Sequence, residues 1–69
     1  MTPRQIRQLR DRLGLDQTEF AKVLRITNVQ VSRLENGARR PSGPLSVLLE
    51  LLAEDPALAG QLLARRRAG

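Results

Sequence analysis

Between Asn28 and Asn36 the chain reads Asn-Val-Gln-Val-Ser-Arg-Leu-Glu-Asn. On a helix turning about 100° per residue, Val31 and Leu34 fall on one side with Glu35 beside them. Val29, Ser32, Arg33 and Asn36 fall on the other. Asn28 and Gln30 flank that outer group, and Asn28 gains reach from its place in the first turn. A buried helix would not carry this face, and an ordinary solvated one would carry more Lys and Glu. Amides, a hydroxyl, one arginine and one small apolar residue are groups that read base edges. Arginine pairs with guanine, asparagine or glutamine with adenine, and valine packs on the thymine methyl. A merely solvated face would also be polar, so composition by itself leaves both readings standing.

The rest of the composition narrows the choice. Sixty-nine residues suffice for one domain, 1–69, near the lower limit for an independent core. The chain has no cysteine and no histidine. That removes thiolate zinc sites, disulfides, the commonest metal ligand and the commonest general base. Without a paired-carboxylate site, no enzyme, metal, cofactor or small-molecule ligand is expected. Twelve Lys+Arg against seven Asp+Glu give +5, which points to a polyanionic partner, nucleic acid before membrane. All the cations but Lys22 are arginines, which suits phosphate and guanine recognition; an arginine-rich codon bias would give the same excess. The positive charge lies in residues 1–40 and at Arg65–Arg67, whereas 41–60 hold Glu50, Glu54 and Asp55 and no cation. No targeting signal or bilayer-length apolar run is evident, so a cytoplasmic protein is expected.

The chain punctuates itself into five short helices. Thr2-Pro3 opens the first as a hydroxyl cap followed by proline, Ile6, Leu9 and Leu13 give its apolar face, and Gly14 ends it. Asp16 caps the second, with Glu19 three residues on to complete a capping box. Thr27 caps the third, which runs about 28–36 and stops at Gly37. Only Leu24–Ile26 separate these two, a helix, tight turn and helix that must cross steeply. Pro44 starts the fourth behind Ser42 or Gly43, and Asp55-Pro56 breaks it and caps the fifth. Alternation is absent and β-branched residues are few, so the fold class is all-α.

Residues 16–41 resemble the helix-turn-helix of the lambda-repressor-like (Cro/cI-type, XRE) DNA-binding domains. The marks are Gln17 opening the second helix, Phe20-Ala21 at the crossing, Thr27 capping the third, Val31-Ser32 within it, Leu34-Glu35-Asn36-Gly37 closing it, and a basic loop into Pro41. The likeness extends over roughly residues 3–54. It implies a five-helix domain with the helix-turn-helix at about 17–36. Asn28, Val29 and Arg33 would then meet base edges in the major groove. Gln17, Thr27, Gln30, Ser32, Asn36, Arg39 and Arg40 would meet the backbone or groove edge. Arg10 and Glu35 would form a structural ion pair away from DNA. One departure is Arg25, where the family has glycine in a left-handed turn; a side chain there costs roughly 1 kcal/mol. Arg25 could be tolerated strain or could touch DNA or a partner.

The C-terminal part, about 44–66, is rich in leucine. Leu45, Leu48, Leu49, Leu52, Leu58, Leu62 and Leu63 are more than a small monomer easily covers. A two-fold dimer interface is expected there, with Leu58 and Leu62 contributing. The two 28–36 helices of such a dimer, about 34–36 Å apart, would read a palindrome. The expected function is a bacterial or phage transcriptional regulator, a homodimeric repressor binding operator DNA of its own operon. The Leu49–Leu58 stretch also resembles the ends of helix-turn-helix antitoxins, so the alternative is an antitoxin that neutralises a toxin protein while autoregulating. A phage regulator of an anti-CRISPR operon would look much the same. Arg65–Arg67 would suit the last helix dipole or add phosphate contacts.

Overall fold

The computed structural model describes residues 1–68, with side chains through Arg65. Its elements are α1 (Pro3–Leu13), α2 (Gln17–Leu24), α3 (Asn28–Asn36), α4 (Gly43–Glu54) and α5 (Ala57–Ala68). No strand occurs among the described residues.

Local chemistry sets most of the boundaries. Thr2 accepts from the Gln5 amide at 3.1 Å, and the Gln5 side chain accepts from the Thr2 amide at 2.9 Å. Asp16 and Glu19 repeat this box at 2.7 and 3.1 Å. Thr27 and Gln30 repeat it again at 3.2 and 2.9 Å. Each box satisfies two amides that a helix start leaves open. Ser42, not Gly43, caps α4, its hydroxyl accepting from the Leu45 amide at 3.4 Å. The start of α5 differs from the sequence expectation. Asp55 closes α4, and the Leu58 amide donates to its backbone carbonyl at 3.1 Å instead of its carboxylate. The chain makes one tight turn at Pro56 before α5 begins.

The core gathers around Phe20, the one aromatic residue. Ile6, Leu9, Ala21, Val23, Leu24, Val31, Leu34, Leu49, Leu52 and Ala59 are buried with it. α3 packs against α1 and α2, α5 lies on α2, and α4 closes against α1 and α5. Two arginines tie the C-terminal helices to this body. Arg12 Nη2 donates to the Ala53 carbonyl of α4 at 2.9 Å. Arg25 Nη2 donates to the Leu62 carbonyl of α5 at 3.3 Å.

Leu58 and Leu62, expected at a dimer interface, both lie on α5. Both are half-buried against the monomer core, because α5 lies along α2. The large apolar side chains left exposed in this half are Val47 and Leu51, at 56% and 46% exposure and four residues apart on α4.

Candidate nucleic-acid interface

α3 presents its outward face because its inward face is anchored twice. Val31 and Leu34 are buried in the core. Glu35, its one carboxylate, is 5% exposed and points back toward α1. Arg10 Nε donates to Glu35 Oε2 at 2.7 Å and Arg10 Nη2 to Oε1 at 3.1 Å. Arg10 Nη1 also donates to the Leu15 carbonyl at 3.2 Å. The bidentate geometry fixes the rotation of α3 about its own axis. The hydrogen bond to Glu35 holds the Arg10 guanidinium above its ordinary range, against the opposing cost of desolvation. Arg10 therefore stays charged at any pH where the fold is handled.

The pair also removes negative charge from the surface that α3 shows. Every other residue of α3 is neutral or cationic. Val29 is 58% exposed, and Asn28, Arg33 and Asn36 are exposed beside it. Ser32 is half-buried between them and accepts from Asn36 Nδ2 at 3.4 Å. Arg39 and Arg40 follow on the exposed loop after Gly37. The Ala38 and Arg39 amides both donate to the Arg33 carbonyl, at 2.9 and 3.3 Å, which folds this loop back under the C-terminal end of α3. One surface thus holds groups of base-reading chemistry with cations at its edge and no acid.

The contact residues expected from the sequence differ in exposure and in bonding. Asn28, Val29, Arg33, Asn36, Arg39 and Arg40 all lie exposed along α3 and its following loop. Gln17, Thr27 and Gln30 have partners inside the fold. Gln17 Nε2 donates to Glu35 Oε1 at 3.3 Å, so this amide supports the ion pair and keeps one N–H for any other partner. Thr27 Oγ1 and Gln30 Oε1 accept within the α3 capping box, and Gln30 is half-buried.

Nothing in the sequence pattern singles out Thr18. It lies at the second position of α2, and its hydroxyl accepts from Asn28 Nδ2 at 2.9 Å. No short-range spacing signals such a contact between two helices. The side chains of Arg66 and Arg67 lie outside the described residues.

The turn between α2 and α3 takes the left-handed form expected, at a residue that is not glycine. Arg25 has φ 61° and ψ 39°. Gly37 has φ 80°, and a Cβ there would come within 3.3 Å of the Pro3 ring. The Arg25 guanidinium also donates to the Lys22 carbonyl. Its side chain thus adds a second donor to the Lys22 carbonyl, which the Arg25 amide already reaches at 3.4 Å, and reaches α5 with its other nitrogen. That offsets the cost of its backbone.

Among the described residues no group of His, Cys, Asp or Glu could hold a metal ion, and no helix is long and apolar enough to cross a membrane. Searches of curated proteins and of solved structures give no match. A family model, described as helix-turn-helix, matches residues 6–52. The match spans α1 to α4 and includes the Arg10–Glu35 pair, the left-handed turn and the exposed face of α3. The chain belongs to the lambda-repressor-like helix-turn-helix family of DNA-binding transcriptional regulators.

Proposed function

We propose that this chain is a sequence-specific repressor that binds a palindromic operator of its own operon as a homodimer in the cytoplasm. The observation that carries the reading is the electrostatic division of α3. Its carboxylate is buried and paired, and its outer face offers Asn28, Val29, Ser32 and Arg33 to a groove. Arg33 would read guanine, Asn28 adenine and Val29 a thymine methyl. Asn36, Arg39 and Arg40 would hold the adjacent phosphates and set the register of α3. Gln17 would reach a phosphate through its remaining N–H.

The dimer follows from size. The longest dimension of the molecule is 32 Å, and it has one reading helix. Two such helices about 34–36 Å apart require two copies. Val47 and Leu51 on α4, with Leu58 and Leu62 at its margin, are the apolar groups available to join them. The same α4 surface carries Glu50 and Glu54, both exposed. That acid supports the second reading, an antitoxin whose α4 face also meets a basic toxin protein.

The test is a gel-shift titration against DNA upstream of the gene, at two salt concentrations with competitor DNA. The expected result is saturable binding that survives competitor, with two protomers on an inverted repeat. Arg33→Ala should weaken specific binding by about 1–3 kcal/mol and blur one base position. Arg40→Ala should weaken all sequences alike and lower the salt slope by about one. If competitor abolishes all binding, the operator reading fails and the neighbouring gene product becomes the partner to test.

A further inference from the structure

We propose that the groove between α3 and α4 binds a small monocarboxylate with an apolar tail, and that this ligand withdraws Arg39 from DNA. The site stands apart from the DNA-binding reading above; only its effect on the operator rests on that reading.

The groove is a product of packing. Ile26, Leu45 and Leu48 give it an apolar lining, and Gln30, Arg39 and Ser42 supply its polar groups. Its volume of about 270 Å³ lies just below the range of about 300–1,000 Å³ that drug-sized ligands take, so its occupant is smaller than those.

What the polar groups have left to offer is donation. The Gln30 oxygen is engaged by the Thr27 amide at 2.9 Å, which leaves the Gln30 nitrogen. Ser42 Oγ accepts from the Leu45 amide at 3.4 Å, which leaves its hydroxyl hydrogen. Arg39 is exposed, and among the described residues its guanidinium pairs with no carboxylate. No acidic residue lines the groove. It also lies at the start of α4, where the helix dipole favours an anion. Donors of this kind beside an apolar lining fit an anion carried on an apolar tail. One guanidinium matches a singly charged carboxylate, whose two oxygens suit its planar fork, better than a phosphate monoester with a charge of about −1.5 to −2.

Arg39 also belongs to the loop that holds phosphate in the operator reading. A carboxylate bound to its guanidinium takes that cation from the DNA backbone. Ligand and operator therefore compete for one side chain, and the ligand acts as an inducer.

The experiment titrates the full chain, labelled at its Ile and Leu methyl groups, with sodium octanoate and separately with 1-octanol. NMR follows the methyl groups of Ile26, Leu45 and Leu48. Octanoate should shift them saturably, with a Kd on the order of 1 mM. Arg39→Gln should weaken octanoate about tenfold and leave octanol unchanged. The same spectra show whether the variant is folded, since unfolding collapses the methyl dispersion throughout. At matched ionic strength, saturating octanoate should lower the operator affinity of wild type about threefold or more and reduce its salt slope by about one. The operator affinity of Arg39→Gln should not respond to octanoate. The proposal is overturned if about 10 mM octanoate leaves the groove methyls unmoved, or if folded Arg39→Gln binds octanoate as tightly as wild type. It is also overturned if octanoate and operator bind wild type without affecting each other. A chain that binds octanoate in the groove but no DNA site upholds the pocket and overturns the operator reading, and the competition with it.

Discussion

α1 to α3 and α4 to α5 solve opposite problems with opposite surfaces. In the first part Val29, on the outer face of α3, is the large apolar side chain left exposed, and the polar ones are sorted between a bonded network and an open face. Arg10, Gln17 and Glu35 hold one another, while Arg33, Arg39 and Arg40 stand exposed. In the second part apolar side chains remain outside. Val47 and Leu51 are exposed, Leu58 and Leu62 are covered only in part, and the exposed charges of α4 are acidic. The N-terminal part therefore shows cations and amides with one apolar side chain among them, as suits a polyanion. The C-terminal part is unsatisfied in apolar contact, as suits another protein surface. Arg12 and Arg25 join the two by donating to carbonyls of α4 and α5, which ties α4 and α5 to the body that carries α3.

The contrast breaks most severely at Glu35. Glu35→Ala leaves a largely buried arginine without its partner, since the Arg10 side chain is only 17% exposed. The expected loss is about 3–5 kcal/mol. A chain of this length has roughly 3–10 kcal/mol of total stability, so much of the population should unfold. Urea melts followed by circular dichroism will measure it. Replacing both partners, Arg10→Met with Glu35→Leu, should cost less than Glu35→Ala. A double variant that loses as much would show that the pair contributes more than mutual neutralisation.

The assembly side is tested by Leu51→Glu and Leu58→Ala. Leu51 is exposed in the monomer, so Leu51→Glu should barely move the monomer melt. It should weaken self-association by about 1–2 kcal/mol per protomer, through the apolar surface it removes. Leu58 is half-buried against the core, so Leu58→Ala should lower monomer stability by roughly 1–2 kcal/mol. Sedimentation equilibrium and thermal melts separate the two effects. If Leu58→Ala dissociated the dimer and left the melt untouched, α5 and not the outer face of α4 would be the interface.

The smallest effect sits where the two parts meet. Arg25→Ala keeps the left-handed backbone cost and removes the guanidinium bonds, so it should lose about 1 kcal/mol. Arg25→Gly removes both, and should come within roughly 0.5 kcal/mol of wild type. Equal losses in the two variants would mean that the backbone cost is negligible and the guanidinium alone matters. A gain for Arg25→Gly of about 1 kcal/mol would instead show that the bridges to Lys22 and Leu62 contribute nothing.

The helix boundaries are legible in the sequence because caps act over three or four residues. Thr2 with Gln5, Asp16 with Glu19 and Thr27 with Gln30 are local contacts between neighbours in the chain. Gly14, Arg25 and Gly37 all take the positive φ that helix endings at those points require. Asp55 is the exception. Its residue type marks a cap, but the backbone there bends to seat α5 on α2, and its carbonyl takes the bond instead. The outward face of α3 is legible for the same kind of reason, since helical period alone separates Val31 and Leu34 from Val29 and Arg33.

What period and spacing do not give is which polar groups remain free to act. Asn28 meets Thr18 across 10 positions and Gln17 meets Glu35 across 18. Arg25 meets Leu62 across 37, and Arg12 meets Ala53 across 41. Nor could a count of leucines say that packing on α2 would half-bury Leu58 and Leu62 of α5 while α4 left Val47 and Leu51 outside. Residue type and near-neighbour geometry determined the helices, their ends, the excess of positive charge and the face of α3 turned outward. The crossing of the helices decided the rest, because partners far apart in the chain meet only once the packed core has fixed how the helices lie on one another.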